Sequence, residues 1–322
     1  MIKFTVRLSI RLFKKGECFL KRKSSKNNKQ LFVQQARLAI EKLSTSRSRS
    51  TCSNYETALK SFAAYAGDEL LVTDVCKQTI EGWALQLKQQ GLRLNTMSCY
   101  MRSLRSIIAH SDMCLHAEDL FKGVFTGNEH TRKRSISAEM LCRIRELKIP
   151  PSSPMALVHD VFMFSVYALG MPFVDVAFLQ KQQIRNGYID YQRHKTGQRI
   201  HIKVEPVMQR IINRHIRNDT PYVFPILRHG TMLEYQKARG SYNHQLRKLG
   251  LLAGVCNLTS YVARHSWASM AYQQNVDLSV ISKALGHTSP NTTLIYIREI
   301  DDNRIDVANK KLLGKLTRKQ KR

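Results

Sequence analysis

Two short stretches of this chain hold side chains suited to phosphate chemistry. The first is Thr259-Ser-Tyr261-Val-Ala-Arg264-His265-Ser-Trp267-Ala268. On a helix, Tyr261 and Arg264 lie three apart and share a face. Arginine offers a planar fork of donors that matches two phosphate oxygens, and it stays charged at any working pH. The second stretch is Ala284-Leu-Gly286-His287-Thr-Ser-Pro290-Asn-Thr-Thr-Leu-Ile-Tyr296. Gly286 ends one helix and Pro290 opens the next. His287 falls in the tight turn between them, so the backbone fixes its orientation. Tyr296 follows about two turns into the second helix. Taken singly, each has a plainer reading: a solvated arginine, a core Trp267, a tyrosine in the core or on the surface.

The elements that must position these residues are legible around them. Residues 31 to 125 read as a compact bundle of four helices. Leu31 to Leu43 is the first, and Ser53 with Glu56 forms a capping box that opens the second, which stops at Gly67. The third covers Gln78 to Gln90 and ends at Gly91. Asn95 caps the fourth, where Met97, Tyr100, Met101, Leu104, Ile107 and Ile108 follow the helical period. Its other face carries Arg102 and Arg105, which are either solvated or set against phosphate. Thr126 to Ser137, with Gly127 and the run Arg132-Lys133-Arg134, reads as a basic linker of residues 126–137. The second domain spans 138–308 and is mainly helical; its apolar run Val161 to Val174 is too short to span a bilayer and reads as a buried helix. The exception is Gln183 to Val204, whose alternation and Thr196-Gly197 turn predict a β-hairpin with Lys195 at its tip. Helices follow over Val207 to Ile216, Glu234 to Leu249, Tyr261 to Gln273, Leu278 to Leu285 and Asn291 to Ile300. Residues 1–30 form a basic arm and residues 309–322 a basic tail.

Charge narrows the partner. The 322 residues hold 52 Lys plus Arg against 24 Asp plus Glu, a formal net charge of +28. The excess runs the length of the chain rather than beside an anchor, which favours nucleic acid over an anionic membrane. The seven cysteines include no C-x-x-C pair and are odd in number. They argue against a zinc site or a disulfide framework and fit a reducing cytoplasm.

Together, the motifs resemble the tyrosine recombinase (phage integrase) family. Its C-terminal signature is H-x-x-R-H, then L-G-H, then Tyr nine residues later. This chain has Tyr261-x-x-Arg264-His265, Leu285-Gly286-His287 and Tyr296, with Lys195 on the hairpin. The resemblance extends over about residues 31 to 305. It implies an N-terminal four-helix, SAM-like core-binding domain and a C-terminal mixed α+β catalytic domain with a small antiparallel sheet. It further implies that Tyr296 attacks a phosphodiester, forming a 3′-phosphotyrosyl link and freeing a 5′-hydroxyl. Arg264, His287 and a further Arg would stabilise the phosphate, and Lys195 would protonate the leaving oxygen. Bond energy is retained, so the resemblance implies no nucleotide cofactor and no metal. The expected partner is double-stranded DNA with specific recombination sites, bound by a homotetramer in the synapse, with no membrane. An apolar stripe of Ile305, Ala308, Leu312 and Leu316 would pack in cis or dock on a neighbouring subunit.

Two positions depart from the family pattern. Tyr261 stands where the family usually has His. A phenol can donate one hydrogen bond to phosphate but is a poor base, and a merely structural role is equally open. Pro172, in Gly170-Met171-Pro172-Phe173-Val174-Asp175, occupies the place of the family's first Arg and donates nothing. The chain resembles a subgroup, found among integrases of conjugative elements and invertases, that also lacks Arg there. Arg193 is the expected replacement: on an extended strand it shares a face with Lys195, and His194 points away. Arg185 and Arg199 are its rivals. Asp175 matches an acidic family position with a supporting role. The expected activity is site-specific recombination. The alternatives are a type IB topoisomerase and a DNA-binding protein with an impaired site.

Overall fold

The computed structural model describes residues 30–129 and 134–294, with Lys310 and Leu313. Tyr296, Arg132, Lys133, the arm of residues 1–29 and the stripe residues Ile305, Ala308, Leu312 and Leu316 lie outside the described residues. The chain divides into two compact units, Met1–His130 and Thr131–Arg322.

In the first unit four helices enclose one apolar core: α1 (Phe32–Ser44), α2 (Arg49–Ala66), α3 (Lys77–Gln89) and α4 (Leu94–Ala109). A short α5 (Ala117–Leu120) follows. Phe62 is the hinge of the packing, edge-on to Phe32 and to Trp83 at 5.2 Å each. Met97, Met101, Leu104, Ile107 and Ile108 are buried, as their spacing predicts. Two helix starts differ from expectation. Helix α2 opens at Ser48, whose side chain accepts from the Thr51 N–H, so Ser53 and Glu56 lie inside the helix rather than capping it. The earlier hydroxyl takes the orphan N–H first, and nothing between Ser48 and Ser53 breaks a helix. Asn95 lies inside α4, and its amide pairs with the backbone of Glu129 at 2.7 and 2.9 Å. Arg102 donates to Asn128 Oδ1 at 3.0 Å. Both side chains therefore tie the following segment to the α4 surface.

In the second unit, α6 (Ala138–Arg145) and α7 (Pro154–Tyr167) are capped by Ser137 and Ser153. Helix α7 is apolar nearly all round and packs against four later helices. The run Val161 to Val174 is not one helix. Its chain turns at Leu169 and Gly170, both at positive φ, and restarts as α8 (Phe173–Ala177) with Pro172 as N-cap. The expected hairpin is the major part of a three-stranded antiparallel sheet: β1 (Ile184–Arg185), β2 (Tyr188–Gln192) and β3 (Arg199–Lys203). Ile189 pairs with Ile202 and Tyr191 with Ile200, which puts the apolar side chains on the buried face. Helices α9 (Pro206–His215), α10 (Met232–Leu252), α11 (Ser260–Gln273), α12 (Leu278–Leu285) and α13 (Pro290–Leu294) follow. Among the described residues no helix is long and apolar enough to cross a membrane.

Candidate active site

Arg264 is 3% exposed on α11, and one glycine makes room for it. Gly170, at φ +69°, lets α11 approach so closely that a Cβ there would lie 2.8 Å from Arg264 Cα. The guanidinium is then held on three sides. Nη1 donates to the Gly170 carbonyl at 3.2 Å, and Nη2 donates to the Leu285 carbonyl at 2.5 Å and to His287 Nε2 at 3.0 Å.

Gly286 ends α12 in the left-handed region at φ +61°. A Cβ there would meet Arg193 Cδ and Ile200 Cδ1 at 2.8 Å each, so the α12 turn sits directly on the sheet. Its carbonyl accepts from Arg193 Nη1 at 2.8 Å and from Thr196 Oγ1 at 3.2 Å. His287 follows, 9% exposed. Its Nε2 faces Arg264, which can only donate; the ring is therefore neutral with its proton on Nδ1. Nδ1 lies 2.8 Å from Thr293 Oγ1 on α13. Burial, followed by the charges of Arg264, Arg193 and Lys195, pushes the imidazole down to about 3.

The hairpin tip differs from the strand geometry expected of it. Residues 194–196 form a turn closed by the Gly197 N–H on the Arg193 carbonyl, so Arg193 and Lys195 are not alternate residues of an extended strand. Arg193 is buried and Lys195 exposed. His194 does not point away. Its backbone N–H and ring Nδ1 both engage Asp175 Oδ1 at 3.0 Å. Asp175 is 2% exposed, and its Oδ2 lies 3.9 Å from Arg193 Nε. One buried carboxylate on α8 thus anchors the turn that presents Lys195 and flanks Arg193. Burial pushes the Tyr191 phenol well up, keeping it neutral beneath Asp175, Arg264 and Arg193.

The structure therefore gathers Arg264, His287, Arg193 and Lys195 from α11, the α12–α13 turn and the β2–β3 turn. A cavity of about 410 Å³ opens beside His287, lined also by Gln198, Arg199, Ser279, Ser282 and Lys283. Pro172 caps α8 and brings no donor. Tyr261 is 47% exposed, its ring 6.3 Å from that of His265. Of the rivals to Arg193, Arg199 pairs with Asp190 at 2.8 Å on the exposed face of the sheet, and Arg185 donates to the Gln182 carbonyl. Arg105 is half-buried on α4 and Arg134 exposed. Thr196 and Thr293 escape a reading of the sequence, because a threonine carries no signal of its partner. A larger cavity of about 790 Å³, between α1 and α2, holds none of these groups.

Known proteins are similar to this chain in sequence and fold. A family model for the phage integrase family matches residues 145–303, and one for the phage integrase SAM-like domain matches residues 31–111. The chain belongs to the phage integrase family, the tyrosine recombinases. The tyrosine recombinase XerD of Oceanobacillus iheyensis is 22% identical over 272 residues, 77% of this chain and 87% of that protein. The tyrosine recombinase XerA of Pyrococcus furiosus is 25% identical over 178 residues, 48% of this chain; the match spans 61% of that protein's length. Among solved structures, a lambda integrase tetramer bound to a Holliday junction superposes with a TM-score of 0.67 at 16% identity, covering 93% of this chain and 88% of that one. The XerH recombinase bound to a palindromic difH substrate gives 0.62 at 18%, covering 86% and 84%.

Proposed function

We propose that this chain is a site-specific DNA recombinase whose nucleophile is Tyr296. The observation that carries the reading is the convergence of three cationic side chains on a neutral, buried His287, nine positions before Tyr296. Gathered cations repel one another and are stabilised by an anion between them; the scissile phosphate of DNA is that anion.

In this reading the Tyr296 oxygen bonds to phosphorus, the bond from phosphorus to the 5′-oxygen breaks, and Lys195 gives that oxygen its proton. The phenol's proton passes to solvent water; His287, its Nε2 turned to Arg264 and its imidazole held down by burial and cations, is not suited to take it. Arg264 and Arg193 stabilise the charge on the phosphate oxygens, Arg193 in place of the Arg absent at Pro172. A 5′-hydroxyl of another strand then reverses the attack and joins the new partner. Arg102, Arg105, Arg132, Lys133 and Arg134 contact flanking phosphates, and four copies assemble on two sites. The relatives' acting on DNA and the lambda integrase tetramer support this assembly. The cysteine pattern supports a cytoplasmic setting.

The test is incubation with supercoiled plasmid carrying the DNA that flanks the gene, followed by denaturation. The parent should leave protein covalently on DNA, and Tyr296→Phe should bind DNA and leave none. Equal adducts from both proteins would defeat the reading. Adducts that need no particular site would indicate a topoisomerase instead.

A further inference from the structure

We propose that Thr293 is a positioning residue for His287, its hydroxyl holding the imidazole by Nδ1 so that Nε2 stays turned to Arg264 and the phosphate that Arg264 would hold; this rests on the recombinase reading. Thr293 is fully buried, and its Oγ1 lies 2.8 Å from Nδ1 across the Thr288–Ser289 turn. The other ring nitrogen lies 3.0 Å from Arg264 Nη2. A guanidinium has no lone pair to offer, so Nε2 accepts, Nδ1 bears the proton and Thr293 accepts that proton. The same pattern, one ring nitrogen held by an oxygen so that the other is aimed, fixes histidine tautomers at working sites generally.

Two features make the hydroxyl more than a space-filler. It both accepts and donates, so it keeps its hold if phosphate binding moves the ring proton from Nδ1 to Nε2 by exchange with solvent; Thr293 then donates to Nδ1. A methyl group in its place does neither. Thr293 also precedes Tyr296 by only three positions in the sequence. One hydrogen bond thus joins the imidazole to the segment that carries the nucleophile. The charged groups that reach the ring are Arg264 from α11 and Arg193 and Lys195 from the hairpin. Nδ1 itself meets the Thr293 hydroxyl at 2.8 Å.

The direct test is nitrogen-15 NMR of the histidine rings in the full chain, with His287 identified by its loss in His287→Gln. The parent should carry its proton on Nδ1, protected from water. Thr293→Ser should keep that signal, and Thr293→Val should shift it and expose it to exchange. In covalent-adduct formation, Thr293→Val should slow the single-turnover rate by on the order of tenfold or more at unchanged DNA affinity, measured at a temperature where the variant is folded. Thr293→Ser should restore most of the rate. A parent ring protonated on Nε2 alone would overturn the inference, and so would a Thr293→Val protein that cleaves at the parent rate. If the parent forms no adduct, the recombinase reading fails, while the NMR measurement still decides whether Thr293 holds the ring.

Discussion

His287 is charge-poor by position rather than by chemistry. Its imidazole is held down at about 3 by burial and then by three neighbouring cations. In the folded protein it therefore binds a proton less readily than in the unfolded chain, where histidine titrates near 6.5. The sign follows: below about pH 6.5 the unfolded state gains a proton that the folded state refuses, so stability falls with pH until about 3. Buried Asp160 adds to this at the acid end. Despite its burial, its bonds to His159 and His215 and the charge of Arg214 hold it below the usual carboxylate range, so its contribution is lost as pH drops below about 3.8. Denaturant unfolding at pH 7 and pH 5 should show a lower midpoint at pH 5, and a smaller drop in His287→Gln. An equal drop in both proteins would contradict the assignment. Arg193 yields a kinetic prediction. Its guanidinium is buried against Gly286, so Arg193→Ala should lower single-turnover cleavage on saturating DNA by roughly a hundredfold or more. Arg199→Ala is the proper control, because that side chain is exposed and paired with Asp190. His194 is unsuitable, since it shares Asp175 with the turn that carries Lys195.

At the scale of elements, the site depends on two close approaches of backbone. Gly170→Ala would drive a Cβ into the Arg264 backbone, which cannot yield, while Gly286→Ala would meet the movable ends of Arg193 and Ile200. Both residues also hold positive φ. Thermal melting should show both variants destabilised, by about 1–3 kcal/mol, with Gly170→Ala the worse. These contacts mark the limit of what the sequence discloses. Helices with a one-sided apolar period, such as α4, are legible because burial imposes that period. The hairpin is legible because β2 and β3 alternate, and the Gly286-His287 turn because glycine and proline punctuate it. Helix α7 is buried nearly all round and carries no such period, so its end at Tyr167 and the Gly170 turn merge into one apolar run. The α2 start is ambiguous because Ser48 and Ser53 are both good caps and only packing chooses. The Asp175–His194 and His287–Thr293 contacts span 19 and 6 residues. Nothing local signals pairs set by tertiary approach. The spacing of Arg264, His287 and Tyr296 is disclosed because it lies in contiguous stretches.

At the scale of the molecule, a chain with a net charge of +28 should bind duplex DNA chiefly by displacing counterions. Affinity for nonspecific duplex should fall by on the order of a thousandfold or more between 50 and 200 mM salt if about six phosphates are engaged. A filter-binding or fluorescence titration across that range checks this, and a nearly flat response would refute it. Charge alone does not distinguish a recombinase from any other DNA-binding protein; only the covalent step does. The most direct measurement is therefore the identity of the residue that carries DNA after denaturation, obtained by protease digestion and mass spectrometry of the nucleotide-linked peptide. The expected result is a phosphotyrosine at Tyr296, linked through the DNA 3′ end, and its disappearance in Tyr296→Phe. A nucleotide found on Tyr261 or Tyr272, or linked through a 5′ phosphate, would contradict it.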